Sequence, residues 1–590
     1  MSTDRTDPYA LQGEPEDGGS NHRVFWADAV ADRIEERDPD EPVVIKGGIS
    51  PSGVPHLGNA NEIMRGYFVA EALRDRGYEV RQVFTADDRD PLRKVPRKLA
   101  DLDGNVVGLG EVDAGALGRN LGKPYTDIPD PFGCCDSYGE HFSTLIERAA
   151  DQLGVPLEVV SNTKLYESGA FEAVTSHLLD NQGRAREVLG QYQDKVDEDY
   201  VPFNPVCENC GKITETVNDY DPEAGTVEYE CTDMEAGDRI IEGCGHRGTA
   251  TLREGKLPWR FEWPAQWQVL GVDHEPFGKD HAEGSWPSGQ DVARNVLGIE
   301  PPVPMVYEWF TLNGEAFSSS EGNVILVGEV LELVEPEVLR YFFAKDPGKV
   351  RNFDVERLDG LAGGFDRFER AFYGAADGED AAFAERAYPD VIRPTVAELE
   401  DDGRLRVAGA GPWSEPVTDP GARDRLDDLI DADFDRRVRL PYTFAAVLGM
   451  SEDPTIREEI ARKEGHVPED TPGWAVDYAL ARVEQARRWA DRVDNEFNYE
   501  LKRSDVPDVA FDEATAAALD ELADFVAAGH DGEAIQGEIY ETAKRHDLDV
   551  GDFFAAGYRL FFDQPEGPKL GQFLGKLDRE FVVERLRREA

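Results

Sequence analysis

Apolar residues come in blocks of contrasting period along this chain. Val43-Val44-Ile45 is a short β-branched run that predicts a buried strand, and it exits through the small-residue stretch Gly48-Ile49-Ser50-Pro51-Ser52-Gly53. From Asn59 the period changes. Ile63/Met64, Tyr67/Phe68, Ala70 and Leu73 recur at roughly helical spacing, and Gly77 is placed to stop the helix. Tyr78 to Thr85 predicts a second strand, which completes a βαβ unit. The region 86–258 has uneven periodicity and holds all six cysteines. Strand-like segments return at Val269-Leu270-Gly271-Val272 and from Val303 to Leu312. Beyond about 330 the pattern is helical, most clearly from Trp474 to Phe497, where Val476, Leu480, Val483, Ala486, Ala490, Val493 and Phe497 share one stripe. Short helices are expected over 514–528 and 551–562, and the Gly/Pro/Asp-rich stretch 401–420 reads as a loop insertion.

At 590 residues the chain is long enough for several domains, each with its own core. Lys and Arg total 63 against 120 Asp and Glu, a net charge of −57. Such a charge would ordinarily argue against a nucleic-acid partner, because phosphate binding relies on Lys and Arg. The hydrophobic fraction of 40% argues for a folded protein, and the acid is dispersed instead of forming a tail. This composition resembles that of proteins from extreme halophiles. In molar salt the Debye length falls to about 3 Å, so repulsion is screened and an RNA partner stays open. Met1 to Asn21 is polar and expected to be disordered. No stretch approaches the ~20 apolar residues of a membrane span, so a cytoplasmic location is expected, with the cysteines as thiols or metal ligands.

The loop after the first strand leads into His56-Leu57-Gly58-Asn59. A small-residue loop ahead of a helix N-terminus points backbone N–H groups at an anion. In that context the box resembles the "HIGH" signature of class I aminoacyl-tRNA synthetases. About 260 residues later, Ala316-Phe317-Ser318-Ser319-Ser320-Glu321-Gly322-Asn323 resembles their mobile "KMSKS" loop in its Lys-Met-Ser-Ser-Ser-Lys-Gly-Asn form. The resemblance implies an ATP site built from Pro51, Ser52, Gly53, His56, Gly58 and Asn59. His56 and Asn59 would hold phosphate oxygens and Gly58 would make room for adenine. Ser318, Ser319 and Ser320 would clasp the leaving pyrophosphate, with Mg²⁺ sharing its charge. Ala316 and Glu321 stand where that form has lysines, which removes cations that preorganised catalysis normally uses.

Further stretches narrow the family. Thr85 to Pro96, Gly122 to Pro131, Trp259 to Pro264, Glu275 to His281 and Gly567 to Gly571 resemble segments of class I lysyl-tRNA synthetases. That resemblance implies an α/β fold: a Rossmann-type catalytic domain with a zinc-bearing insertion and an all-α C-terminal anticodon-binding domain. Its parts would be a tail over 1–21, catalytic halves over 22–85 and 259–330, an insertion over 86–258 and a helical stem-contact and anticodon-binding region over 331–590. It implies ATP-dependent ligation of L-lysine to tRNA-Lys through a lysyl-adenylate, with Gly48, Ser50, Trp259, His281 and Tyr307 around the lysine. An ε-ammonium in a cleft needs carboxylates or aromatic faces to replace its water, and 259–281 is rich in both. Two other readings share the nucleotide motifs. A class I synthetase for another amino acid such as glutamate would need an arginine pocket. A synthetase-like RNA-binding regulatory protein would have lost activation along with the loop lysines.

Cys207-x-x-Cys210 followed by Gly211-Lys212 has the shape of a zinc knuckle, and Cys244-Gly245-His246 can supply the other half of a tetrahedral site. Cys231 competes with His246 for the fourth place. Adjacent Cys134-Cys135 read as core thiols, since neighbours do not easily ligate one ion together. Arg93-Lys94-Val95-Pro96-Arg97-Lys98 is the densest basic island in the chain, suited to the acceptor end of tRNA or to phosphate.

Overall fold

The structure is a computed structural model that describes residues 5–9, 24–194, 196–237, 239–317, 323–404, 420–432, 436–495, 497–498, 501–502, 507, 509–567 and 569–589. The chain forms two compact units, one of residues 1–330, 336–354 and 368–430, the other of residues 331–335, 355–367 and 431–590.

A five-stranded parallel sheet centres the first unit. Its strands are β1 (Val43–Ile49), β2 (Val80–Ala86), β3 (Glu158–Ser161), β4 (His274–Gly278) and β5 (Val303–Tyr307), in the spatial order β5-β4-β1-β2-β3. β1 and β2 pair along their whole length, from Val43↔Val80 to Ile49↔Ala86. β1 and β4 pair only at Ile45↔His274 and then part. The chain therefore winds outward from β1 on one side and returns to its other side, which makes the β1/β4 crevice the topological switch point of the sheet. Past Ile45 the crevice floor is polar: buried Lys46 on β1 and buried Glu275 on β4 face each other at 2.7 Å.

Helix α1 (Trp26–Glu35) packs beside α2 (Leu57–Arg74), the helix expected after the small-residue loop. α2 is buried nearly throughout, polar residues included. Arg65 donates to the Phe343 and Lys345 carbonyls at 2.5 and 2.8 Å. Glu71 accepts from Arg74, Arg393 and Arg423 at 2.6–2.7 Å. Gly77 ends this region at φ +91°, a conformation that favours glycine.

Two expectations are corrected. Val269 and Leu270 are not a strand; they close helix α3 (Trp259–Leu270), and the strand begins at His274. Trp259, Trp263 and Trp267 stand at i, i+4 and i+8, a helical period that outweighs the short apolar run at its end, and Gly271 caps the helix at φ +65°. The polar N-terminus is not free over 5–9. Thr6 N–H donates to Gln290, Arg294 reaches the Thr6 hydroxyl, and Tyr9 packs on the tryptophan cluster under β4. Residues 10–23 and most of the 401–420 insertion, 405–419, lie outside the described residues.

The second unit is helical among its described residues. Its long helix, Gly473–Val493, buries Val476, Val483, Ala486 and Ala490 from the expected stripe. It also buries Arg482, which bonds Asp366 at 2.8 and 2.9 Å, Leu440 O at 2.6 Å, and Glu335. The helices expected near 514–528 and 551–562 span Glu513–Ala527 and Val550–Phe562.

Candidate active site

A cavity of about 740 Å³ opens at the end of β1, with Ser50, Ser52, Gly53, His56, Asn59 and Trp259 in its wall. The loop after β1 is held from below, where the hydroxyl of buried Tyr138 donates to Ser52 O at 2.9 Å. His56 is the N-cap of α2. Its Nδ1 accepts from Gly58 N–H at 3.1 Å, while Asn59 Oδ1 accepts from His56 N–H at 2.9 Å, a reciprocal capping box. With Nδ1 occupied as an acceptor, the ring proton belongs on Nε2, the atom left to serve as a donor. Burial pushes the imidazole down to about 4. At neutral pH His56 thus offers a neutral N–H and not a cation.

The second motif meets the first. Leu57 N–H donates to Ile325 O at 2.8 Å, and the Phe317 ring stacks on His56 with centroids 5.0 Å apart. Asn323 donates to Ala316 O at 2.9 Å. Ser318, Ser319, Ser320, Glu321 and Gly322 lie outside the described residues.

Of the residues expected around lysine, Gly48 and Tyr307 converge on a group the sequence reading missed, Glu62 of α2. Its carboxylate accepts from Gly48 N–H at 2.7 Å and from the Tyr307 hydroxyl at 2.8 Å. No cation pairs with it among the described residues. Enclosure in the crevice pushes the carboxyl up to about 7, against both hydrogen bonds. The side chain nevertheless keeps partial solvent access. His281 lies against Trp259 and Trp263, with ring centroids at 6.0 and 5.6 Å. Trp263 in turn donates to Glu275 at 2.8 Å. Beside them, buried Lys256 bridges Asp90 and Glu262, the latter at 2.6 Å. The signal for Glu62 was an acid in the first turns of a helix whose apolar period was already plain.

Cys207, Cys210, Cys231 and Cys244 bring four sulfurs within 4.8 Å of one another. The pairs Cys207–Cys244 and Cys210–Cys231 lie at 3.6 and 3.7 Å. Tetrahedral zinc with Zn–S of about 2.3 Å requires sulfurs roughly 3.8 Å apart, so the four fit one ion. The cluster differs from the expected ligand set in one place: Cys231 stands in it and His246 does not. Cys231 N–H donates to His246 O just beyond the antiparallel pair Thr226–Glu230 and Arg247–Thr251, so the two residues lie opposite each other at its end. Cys231 turns into the core, and His246 Nε2 meets Glu208 at 2.8 Å. The reading of Cys134 and Cys135 also changes. Cys134 is exposed, and both share a cluster with Asp130 and His141 whose ligand atoms lie within 4.8 Å. His141 Nε2 sits 2.8 Å from Ala100 O, which leaves Nδ1 facing Cys134 at 3.3 Å, the arrangement of an oriented metal ligand.

A parallel sheet with the His56–Asn59 box at the helix that follows β1, beside the switch point, defines the class. A family model described as class I tRNA synthetases (K) matches residues 24–390, and the chain belongs to that family. It is 65% identical over 584 residues to the lysine–tRNA ligase of Haloarcula marismortui, covering 99% of each chain, and 65% identical over 584 residues to that of Halobacterium salinarum, again covering 99% of each. With the lysine–tRNA ligase of Pyrococcus furiosus it shares 33% identity over 586 residues, 96% of this chain and 100% of the other. Among the described residues no helix is long and apolar enough to cross a membrane.

Proposed function

We infer that this chain ligates L-lysine to tRNA-Lys in the cytoplasm, through a lysyl-adenylate made in the β1/β4 crevice. A lysine carboxylate oxygen attacks the α-phosphorus of ATP. The bond from that phosphorus to the bridging oxygen breaks, and pyrophosphate leaves with the electron pair. No residue of the site needs to move a proton in this step, so catalysis is positioning and charge stabilisation. His56 Nε2–H and Asn59 hold phosphate oxygens, the loop Pro51-Ser52-Gly53 cradles the nucleotide, Gly58 admits adenine, and Ser318 to Ser320 take the leaving group together with Mg²⁺.

The observation that carries the substrate assignment is Glu62, a carboxylate between Gly48 and Tyr307 with an unfilled charge. The lysine ε-ammonium fills it, with Ser50, Trp259 and His281 enclosing the chain. A glutamate side chain would set a third carboxylate against Glu62 and Glu275, and repulsion in an enclosed crevice rejects it. The near-full-length identity to named lysine–tRNA ligases supports the same reading. The four thiolates of Cys207, Cys210, Cys231 and Cys244 hold one structural zinc that folds the insertion, remote in sequence from both nucleotide motifs. The helical region beyond 331 takes the tRNA stem and anticodon.

Amino-acid-dependent ATP–pyrophosphate exchange in molar KCl, with and without tRNA, tests the assignment. Lysine supports exchange and glutamate does not. Exchange with glutamate, or with neither amino acid under both conditions, would refute it.

A further inference from the structure

The second motif lacks its two cations at Ala316 and Glu321, so the charge on the leaving pyrophosphate needs another source. The cations around the crevice are mostly committed elsewhere. Lys279 pairs with Glu308 at 3.0 Å. Arg89 is buried and donates to the Gly255 and Arg253 carbonyls at 3.2 and 2.8 Å. Lys46 is closed off by Glu275, and Lys256 by Asp90 and Glu262.

The basic island is placed differently. Leu92 is clamped to the neighbouring strand-like segment through Leu92 N–H to Lys123 O and Gly122 N–H to Leu92 O, both at 2.9 Å. Leu92 is buried and Val95 packs on the same core that carries Tyr138 and Val54. With those two residues turned inward, Arg93, Lys94 and Arg97 stay exposed and line the same cavity wall as Ser52, Gly53, His56 and Asn59. Arg93 has one long contact, 3.8 Å to Glu215. Lys94 and Arg97 carry no ion pair among the described residues. Pro96 lies against Gly53: a Cβ built on that glycine would come within 3.8 Å of the Pro96 Cβ. The island thus abuts the phosphate loop itself.

We propose that Lys94 and Arg97, with Arg93, neutralise the β- and γ-phosphates of ATP and the departing pyrophosphate, in place of the cations absent from the second motif. This rests on the adenylate-forming reading above. In the forward step the α-phosphorus–oxygen bond breaks and the electron pair passes to the β-phosphate oxygen. A preorganised cation there lowers the barrier and also binds free pyrophosphate in the reverse direction. The Arg/Lys pairing suits the chemistry, since both bind phosphate, Arg by a planar fork and Lys as a point charge.

The test is lysine-dependent ATP–pyrophosphate exchange in molar KCl with K94Q/R97Q, two exposed positions, checked for native circular dichroism. The KM for pyrophosphate should rise about 10-fold or more and kcat should fall by a similar factor, while the KM for lysine stays within about 2-fold. The conservative pair K94R/R97K should recover most of the loss, and A316K/E321K introduced into K94Q/R97Q should restore it by a different route. An unchanged pyrophosphate KM overturns the proposal. So does normal exchange with impaired tRNA charging, which would assign the island to the acceptor end of tRNA. Absence of lysine-dependent exchange in the unsubstituted protein would instead overturn the adenylate-forming reading on which the proposal stands.

Discussion

Helix α2 carries acidic side chains toward both ends, and the two sets are built on opposite plans. Toward its C-terminal end Glu71 meets Arg74, Arg393 and Arg423, while Asp390 meets Arg386 and Arg393 at 2.9 and 2.7 Å. Each carboxylate there has more than one cation. Burial alone would raise the Glu71 carboxyl, but Arg423, Arg393 and Arg74 outweigh it and hold the group down to about 2. Earlier on the same helix Glu62 meets only an amide and a phenol, and its carboxyl goes the other way, to about 7. A closed network fixes α2 against the helices Glu379–Asp401 and Pro420–Ala432, whereas an open one leaves room for a charge that arrives with a ligand.

The largest effect expected from breaking this contrast lies in the closed set. Glu71→Gln leaves Arg393 and Arg423 buried with too little counter-charge and should cost about 3–5 kcal/mol of stability, read from urea denaturation in molar KCl. A loss below about 1 kcal/mol would mean that the network is effectively solvated. The sign with pH is fixed by the depressed carboxyl. Its contribution is complete above about pH 4.5 and is lost as pH falls toward 2.

His56→Ala comes next. Exchange should fall about 100-fold or more with lysine KM nearly unchanged, because the ring acts on phosphate charge. Since burial holds His56 near 4, its neutral form persists from pH 5 to 8, and kcat should show no inflection near 6.5 from this group. Such an inflection, abolished in the alanine variant, would contradict the neutral donor.

Glu62→Gln should raise the lysine KM by about 10- to 100-fold and leave the ATP KM alone, since a desolvated ion pair is replaced by a neutral contact. The pH dependence follows from the raised carboxyl. Lysine requires the ionised form, so its KM should climb as pH falls below about 7, and the glutamine variant should lose that dependence. Tyr307, Glu275 and Lys46 are the other groups near it, and lysine titrated against Tyr307→Phe separates the phenol from the carboxylate.

Much of this was legible in the chain. The β-branched run at Val43, the helical period through Leu73 and the loop between them predict one wall of the site, because strand, helix and anion-binding loop each have a local signature. What escaped is non-local. Nothing near Cys231 in sequence says that the hairpin carries its sulfur inward and holds His246 outside. Nothing near Glu62 says that Gly48 and Tyr307 close over it. The strand wrongly placed at Val269 shows the same limit at short range, where three tryptophans at helical spacing overrode a short apolar run.

The smallest effect sharpens the zinc assignment. Cys231→Ser should release metal and destabilise the insertion as Cys207→Ser does, while His246→Ala should leave metal content unchanged, measured by elemental analysis of protein kept in chelator-free buffer. Metal lost from the His246 variant and retained in the Cys231 variant would reverse the ligand set.

The central claim is that the open charge on Glu62 is what selects lysine. Calorimetric titration with L-lysine and with L-norleucine, which lacks the ε-ammonium, tests it most directly. The intact protein should bind lysine about 100-fold more tightly than norleucine, and Glu62→Gln should collapse that difference toward a few-fold. A glutamine variant that still prefers lysine by the full factor would contradict the account.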